Sequence, residues 1–187
     1  MARRLRISAG GIAYHVLNRR VGRQPLFEDD GEYAAFEMVL EEAHARFGMP
    51  LLDYCLMPNH WHLVLWPDRT GLLSRYMQWL TTTHTRRWHA HRGTVGSGPL
   101  YQGRFKSFPV QEDGHLLTVC RYVERNALRA HLAPTAQGWR WGSLWQRRQP
   151  QPPPWLLATK LRLQSSLRPA WRPKSRKPVK GGAGRDK

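Results

Sequence analysis

The chain runs to 187 residues, room for one compact domain with a hydrophobic core plus some sequence outside it. Lysine and arginine total 30 against 13 acidic residues, and the resulting net charge of +17 attracts polyanions, nucleic acid first among them. No apolar run reaches the roughly 20 residues of a spanning helix and MARRLRISAGG has no hydrophobic signal core, so the expectation is a soluble cytoplasmic protein with no membrane partner.

In chain order, GIAYHVLNRR at 11–20 alternates apolar and polar positions and predicts a strand, with VGRQPLFEDD as a turn-rich connection. GEYAAFEMVLEEAHARFG predicts a helix with Tyr33, Phe36, Val39, Leu40 and Ala43 on one stripe, stopped at Gly48 and Pro50. LLDYCLM and HWHLVLW are two strand-like runs joined by Pro58 and Asn59, a hairpin signature. A second helix over 71–92 ends in GTVGSG, a flexible loop rather than a phosphate cradle because no GK[ST] follows. LYQGRFKSFPVQ supplies another strand, and DGHLLTVCRYVERNALRAHL predicts one helix over 113–132 with Asp113 as N-cap. The order β-α-β-β-α-β-α predicts an α+β fold, a ferredoxin-like split βαβ sandwich with helices packed on an antiparallel sheet. The two cysteines, Cys55 and Cys120, form no CxxC pair and read as reduced packing residues.

Composition changes at residue 147, where RRQPQPPPW begins, so the expected organisation is a catalytic domain over 1–147 and a Pro-rich linker with a disordered basic tail over 148–187. TKLRLQSSL reads as one weak helix within that tail, and from Arg168 onward there are eight basic residues and one acidic.

Two constellations carry chemistry. His60 and His62 stand two apart on a predicted strand, so both side chains leave one face and can reach one metal ion; the alternative is a pair of polar residues on the open face of a half-buried strand. His89 and His91 have the same spacing on a predicted helix, where they point about 200° apart and do not share an ion easily. On the last helix Tyr122 and Asn126 are an i, i+4 pair at the margin of the stripe formed by Leu116, Val119, Cys120, Val123 and Ala127. Packing is the commoner role of a helical tyrosine, and a nucleophile beside a metal ligand is the functional one. A phosphodiester repels nucleophiles and a tyrosine has an ordinary pKa of about 10, so a divalent cation on His60, His62 and the amide oxygen of Asn126 would ease attack by Tyr122. Two imidazoles and one amide oxygen suit Mg2+ or Mn2+.

Four segments resemble one family: YHVLNRR at 14–20, CLMPNHWHLVLWP at 55–67, YQGRFKSFPVQEDGHLL at 101–117 and RYVERNALRA at 121–130. They are similar to the REP-associated tyrosine transposases, relatives of the single-tyrosine insertion-sequence transposases in the HUH endonuclease superfamily, over roughly residues 10 to 145. The resemblance implies Tyr122 as nucleophile, His60 and His62 as metal ligands, and Asn126 completing the metal site. It further implies hairpin-forming single-stranded DNA as substrate, a 5′-phosphotyrosine intermediate, a divalent metal and a place near the bacterial nucleoid, and it is compatible with a monomer or a homodimer. The chain departs from the family in two places. Asn126-Ala127-Leu128-Arg129-Ala130 replaces Asn-Pro-Val-Arg-Ala, and Trp141-Gly142-Ser143 replaces Trp-Ser-Ser.

Arg19, Arg20, Arg104 and Lys106 lie in the family-like segments and are candidate DNA-backbone contacts, against a reading as ordinary surface charge. Trp61 and Trp66 border the histidines and are candidate platforms for unpaired bases. Arg121 and Arg125 point outward from the tyrosine helix, to DNA backbone or to solvent alike. The rival function is a non-catalytic single-stranded-DNA- or RNA-binding ferredoxin-like module, but no RNP motif is present.

Overall fold

The computed structural model describes residues 8–110 and 114–157. Strand β1 (Ala13–Arg19) leads through a 3-10 turn to helix α1 (Asp30–Phe47), followed by the hairpin β2 (Leu51–Met57) and β3 (His60–Leu65). Helix α2 (Leu72–His91), strand β4 (Lys106–Val110) and helix α3 (Gly114–Glu124) come next, with two short helices, α4 (Asn126–Arg129) and α5 (Ser143–Gln146), after them. The sheet order is β2-β3-β1-β4 and every neighbouring pair is antiparallel. Strand β3 is thus inserted between the parallel β1 and β2, and β1 between the parallel β3 and β4, which is the expected split βαβ arrangement.

Local chemistry explains the elements. Asp29 caps α1 by accepting from the Glu32 amide at 2.9 Å, and Gly48 ends the helix in the left-handed region at φ 60°. The predicted stripe of Tyr33, Phe36, Val39, Leu40 and Ala43 is the buried one. Arg92, at the end of α2, grips Glu32 through hydrogen bonds of 2.7 and 2.8 Å and so fixes the two helices to each other.

Alternation gives the sheet two different faces. Tyr14, Val16, Tyr54, Leu56, Trp61, Leu63 and Leu65 pack with α1 and α2 in the larger core. Cys55, Met57 and Val64 pack with Leu116, Cys120, Val123 and Ala127 of α3 and α4 in a smaller one. Both cysteines are free and buried.

Three expectations change. The helix over 113–132 is interrupted at Arg125 (φ −92°, ψ 2°): the carboxamide of Asn126 donates to the carbonyls of Tyr122 and Val123 at 3.0 and 3.3 Å, side chain substituting for main chain in that turn. The fold also continues past residue 147. Trp155 and Leu156 are buried in the larger core, and the Leu157 amide donates to the Leu51 carbonyl at 3.0 Å. Proline-rich sequence can follow a core closely when a large aromatic lies just beyond it, which a composition break does not reveal. Third, Trp61 is fully buried, because alternation turns it away from His60 and His62, and its indole N–H donates to the Tyr101 hydroxyl. It is no base-stacking platform; Trp66 is partly buried against the smaller core. Asp113, TKLRLQSSL and the basic tail lie outside the described residues.

Candidate active site

Register determines which side chains share the smaller, partly open face. Arg19 pairs with His60, Leu17 with His62 and with Lys106, and His15 with Val64 and with Phe108. Directly paired residues point the same way, so Arg19, His15, His60, His62, Lys106 and Phe108 form one surface. Helix α3 lies over part of it and brings Tyr122 down beside the histidines. The ring of Tyr122 meets His62 edge to face at a centroid distance of 6.0 Å and meets His15 at 5.9 Å. His60 and His62 stand 5.0 Å apart, centroid to centroid. Tyr122 remains 41% exposed, which leaves its phenol open to a ligand.

Burial pushes the His60 imidazole down to about 4, with the positive charge of Arg19 adding to the effect. His62 is pushed down to about 3, by burial first and then by His60, His15 and Arg19. Burial also lowers His15. All three rings are therefore neutral at pH 7 and keep a nitrogen lone pair. His60 is bonded through Nδ1 to the Asn59 amide oxygen at 2.6 Å, and His62 through Nδ1 to Nε2 of His15 at 2.9 Å. Among the described residues no three His, Cys, Asp or Glu side chains form a metal cage. The donors that the structure groups on one face are the His60 and His62 imidazoles; Asn126 follows at the start of α4, its carboxamide nitrogen engaged with the Tyr122 and Val123 carbonyls. Such a set fits an open site with positions left for phosphate oxygens and water.

The candidate cations divide. Arg19 and Lys106 lie on the histidine face. Arg20 does not: it stacks 4.4 Å over the Trp88 ring, bonds to the Pro25 carbonyl and belongs to the α1–α2 side. The reason is again alternation, since neighbours on an extended chain face opposite ways. Arg104 lines a separate cleft of about 780 Å³ with Asn18, Thr81, Thr85 and Arg86. Three residues of the site were not singled out from sequence. His15 contacts His62, Phe108 is a half-exposed aromatic beside His15 at 6.3 Å, and Arg129 lies 5.3 Å from the Tyr122 ring centroid. Strand alternation within YHVLNR and KSFPV places His15 and Phe108 on their faces; the pairing of the first with the histidine strand, and of the second with the first, was the missing information.

Comparisons with known proteins bear on the fold and on the family. The fold matches the structure of a REP-associated tyrosine transposase bound to a REP hairpin, at a TM-score of 0.64 and 14% identity, covering 84% of this chain and 92% of that one. A crystal structure described as that of a transposase from Deinococcus radiodurans aligns at a TM-score of 0.45 and 17% identity, covering 67% of this chain and 95% of that one. No curated protein matches the chain by sequence. Residues 8–126, more than half of the chain, match the model of the IS200-like transposases. The chain therefore belongs to the IS200-like transposase family.

Proposed function

We propose that this transposase cleaves and rejoins hairpin-bearing single-stranded DNA through a covalent bond between Tyr122 and a 5′ phosphate. The observation that carries this reading is the placement of an exposed phenol edge-on to two neutral histidines, on a face that also presents Arg19, Lys106 and Arg129. The Tyr122 oxygen bonds to phosphorus, the bond from phosphorus to the 3′ oxygen breaks, and that oxygen leaves as a 3′ hydroxyl. Reversal by a 3′ hydroxyl rejoins the strand, since the ester energy is retained on the tyrosine. A Mg2+ or Mn2+ ion on His60, His62 and Asn126 would polarise the scissile phosphate and offset the charge developing on it. Arg19, Lys106 and Arg129 hold phosphate oxygens, and Phe108, rather than Trp61, offers a ring face to an unpaired base. The hairpin is inferred from the fold match to a transposase bound to one.

The test is a denaturing gel of the full chain incubated with hairpin-flanked single-stranded DNA, with and without divalent metal. A covalent protein–DNA adduct is expected that disappears in Tyr122→Phe while DNA binding persists. An adduct that survives in that variant overturns the assignment.

A further inference from the structure

His60 and His62 each have two ring nitrogens, and a cation can be held only by one that carries a lone pair. What sets the tautomer is the hydrogen bond made by the other nitrogen. For His60 that partner is the amide oxygen of Asn59, which only accepts, so Nδ1 of His60 carries the proton and Nε2 the lone pair. Asn59 is itself held, its nitrogen donating to the Arg23 carbonyl at 3.2 Å, which keeps the oxygen turned to His60.

For His62 the partner is a third imidazole. Nε2 of His15 and Nδ1 of His62 are 2.9 Å apart, and the planes differ by only 19° with centroids 5.1 Å apart. That separation is what two rings joined edge to edge by a straight N–H···N bond require, rather than two rings in face contact. Phe108 and Tyr122 flank His15 at 6.3 and 5.9 Å and limit its rotation.

We propose that His15 and Asn59 are positioning residues that hold His62 and His60 in the Nδ1–H form, so that both rings present Nε2 to one cation. His15 accepts the His62 proton on Nε2 and carries its own on Nδ1. It neither binds the ion nor touches the scissile phosphate; it supplies the acceptor that a metal-bound histidine requires behind it. The inference rests on the reading of His60 and His62 as ligands, and it adds a residue on a different strand to the site.

Two measurements test it on the full chain. In the metal-free protein, 15N–1H imidazole correlation spectra should show His60 and His62 protonated at Nδ1. Mn2+ affinity, followed by electron paramagnetic resonance, should fall about 10–100-fold in His15→Phe, which keeps the ring packing and removes the acceptor. The same variant should give His62 a mixed tautomer signal. His15→Gln, whose amide oxygen can accept near the same place, should restore most of the affinity. A wild-type His62 protonated at Nε2 overturns the inference, as does Mn2+ binding that depends on His60 and His62 yet is indifferent to His15→Phe. Wild-type protein that binds no Mn2+ through His60 and His62 overturns the ligand reading along with it.

Discussion

Arg147 bonds Glu124 at 3.1 Å, two residues beyond Tyr122, and the same guanidinium nitrogen lies 3.8 Å from the buried carboxylate of Asp53 on β2. Its other terminal nitrogen donates to the Leu52 and Leu157 carbonyls. One side chain thus ties the end of the tyrosine helix, the edge strand and the C-terminal segment together. Asp53 also accepts from the Ser143 hydroxyl and from the Tyr54 amide. Burial raises the carboxyls of both Asp53 and Glu124 above the usual range, and Arg147 opposes the rise in each.

Removing the guanidinium in Arg147→Ala leaves Asp53 buried without a cation. The expected cost is about 3 kcal/mol, the lower end for a broken buried pair, because Arg147 is 20% exposed. Urea unfolding measures it. Asp53→Asn combined with Arg147→Ala should cost less than the two single changes added, since both remove the same contact. Equal, additive losses would show that the cluster does not act as a unit.

The two histidine pairs should behave differently. His60→Ala and His62→Ala should each abolish adduct formation, and a chelator should reproduce the loss. His89→Ala with His91→Ala should leave the chemistry intact, because His89 bonds the Thr94 hydroxyl at 2.8 Å and His91 is exposed at the end of α2. Equal loss from both pairs would undo the distinction between strand and helix geometry.

Stability should decline as the solution turns acid through the range where free histidine titrates. Burial holds His84 at about 3, and His62 and His60 are held at about 3 and 4, all below the ordinary value near 6.5. Below pH 6.5 the unfolded chain takes up protons that the folded chain refuses. This contribution is therefore full above about 6.5 and is lost as pH falls toward 3–4. Nδ1 of His84 and the Tyr101 hydroxyl share a hydrogen bond at 2.7 Å. His84→Asn keeps a hydrogen-bonding group there and removes one titrating group, so its slope of stability against pH between 6 and 5 should be shallower by about 1.4 kcal/mol per pH unit. Denaturant midpoints across pH 5–7 test this, and an unchanged slope would exclude His84 as a contributor.

Much of this was legible from single-residue patterns. The α1 stripe, the hairpin at Pro58 and Asn59, and the shared face of His60 and His62 follow from periods of 3.6 and 2 that tertiary structure left alone. The same period places Trp61 and Arg20 on the opposite face, so their assignment to DNA set charge and aromaticity above alternation. His15 needed more than a pattern, because its partner is 47 residues away and strand pairing brings them together. The break at Arg125 depends on where one carboxamide bonds, and the C-terminal extension on where Trp155 inserts. Neither is a periodic property.

Two truncations separate fold from charge at the C-terminus. Ending the chain at residue 147 removes Trp155 and Leu156 from the larger core, together with the Leu157 main chain that meets Leu51 and Arg147. Loss of one buried tryptophan typically costs about 3–5 kcal/mol, so this protein should be strongly destabilised or unfolded. Ending it before Arg168 keeps all of that packing and deletes eight basic residues. Such residues bind phosphate by releasing counterions, an effect set by charge number and not by base sequence. The shorter protein should therefore bind target and random single strands more weakly by similar factors. Its plot of log affinity against log salt should flatten by about 0.7 for each phosphate that the tail no longer neutralises. Every residue assigned to the chemistry lies upstream, so at low salt and saturating DNA it should form the Tyr122 adduct at close to the full-length rate. A truncated protein that stays folded but loses target preference or saturated adduct formation would place the tail inside the recognition or active site instead.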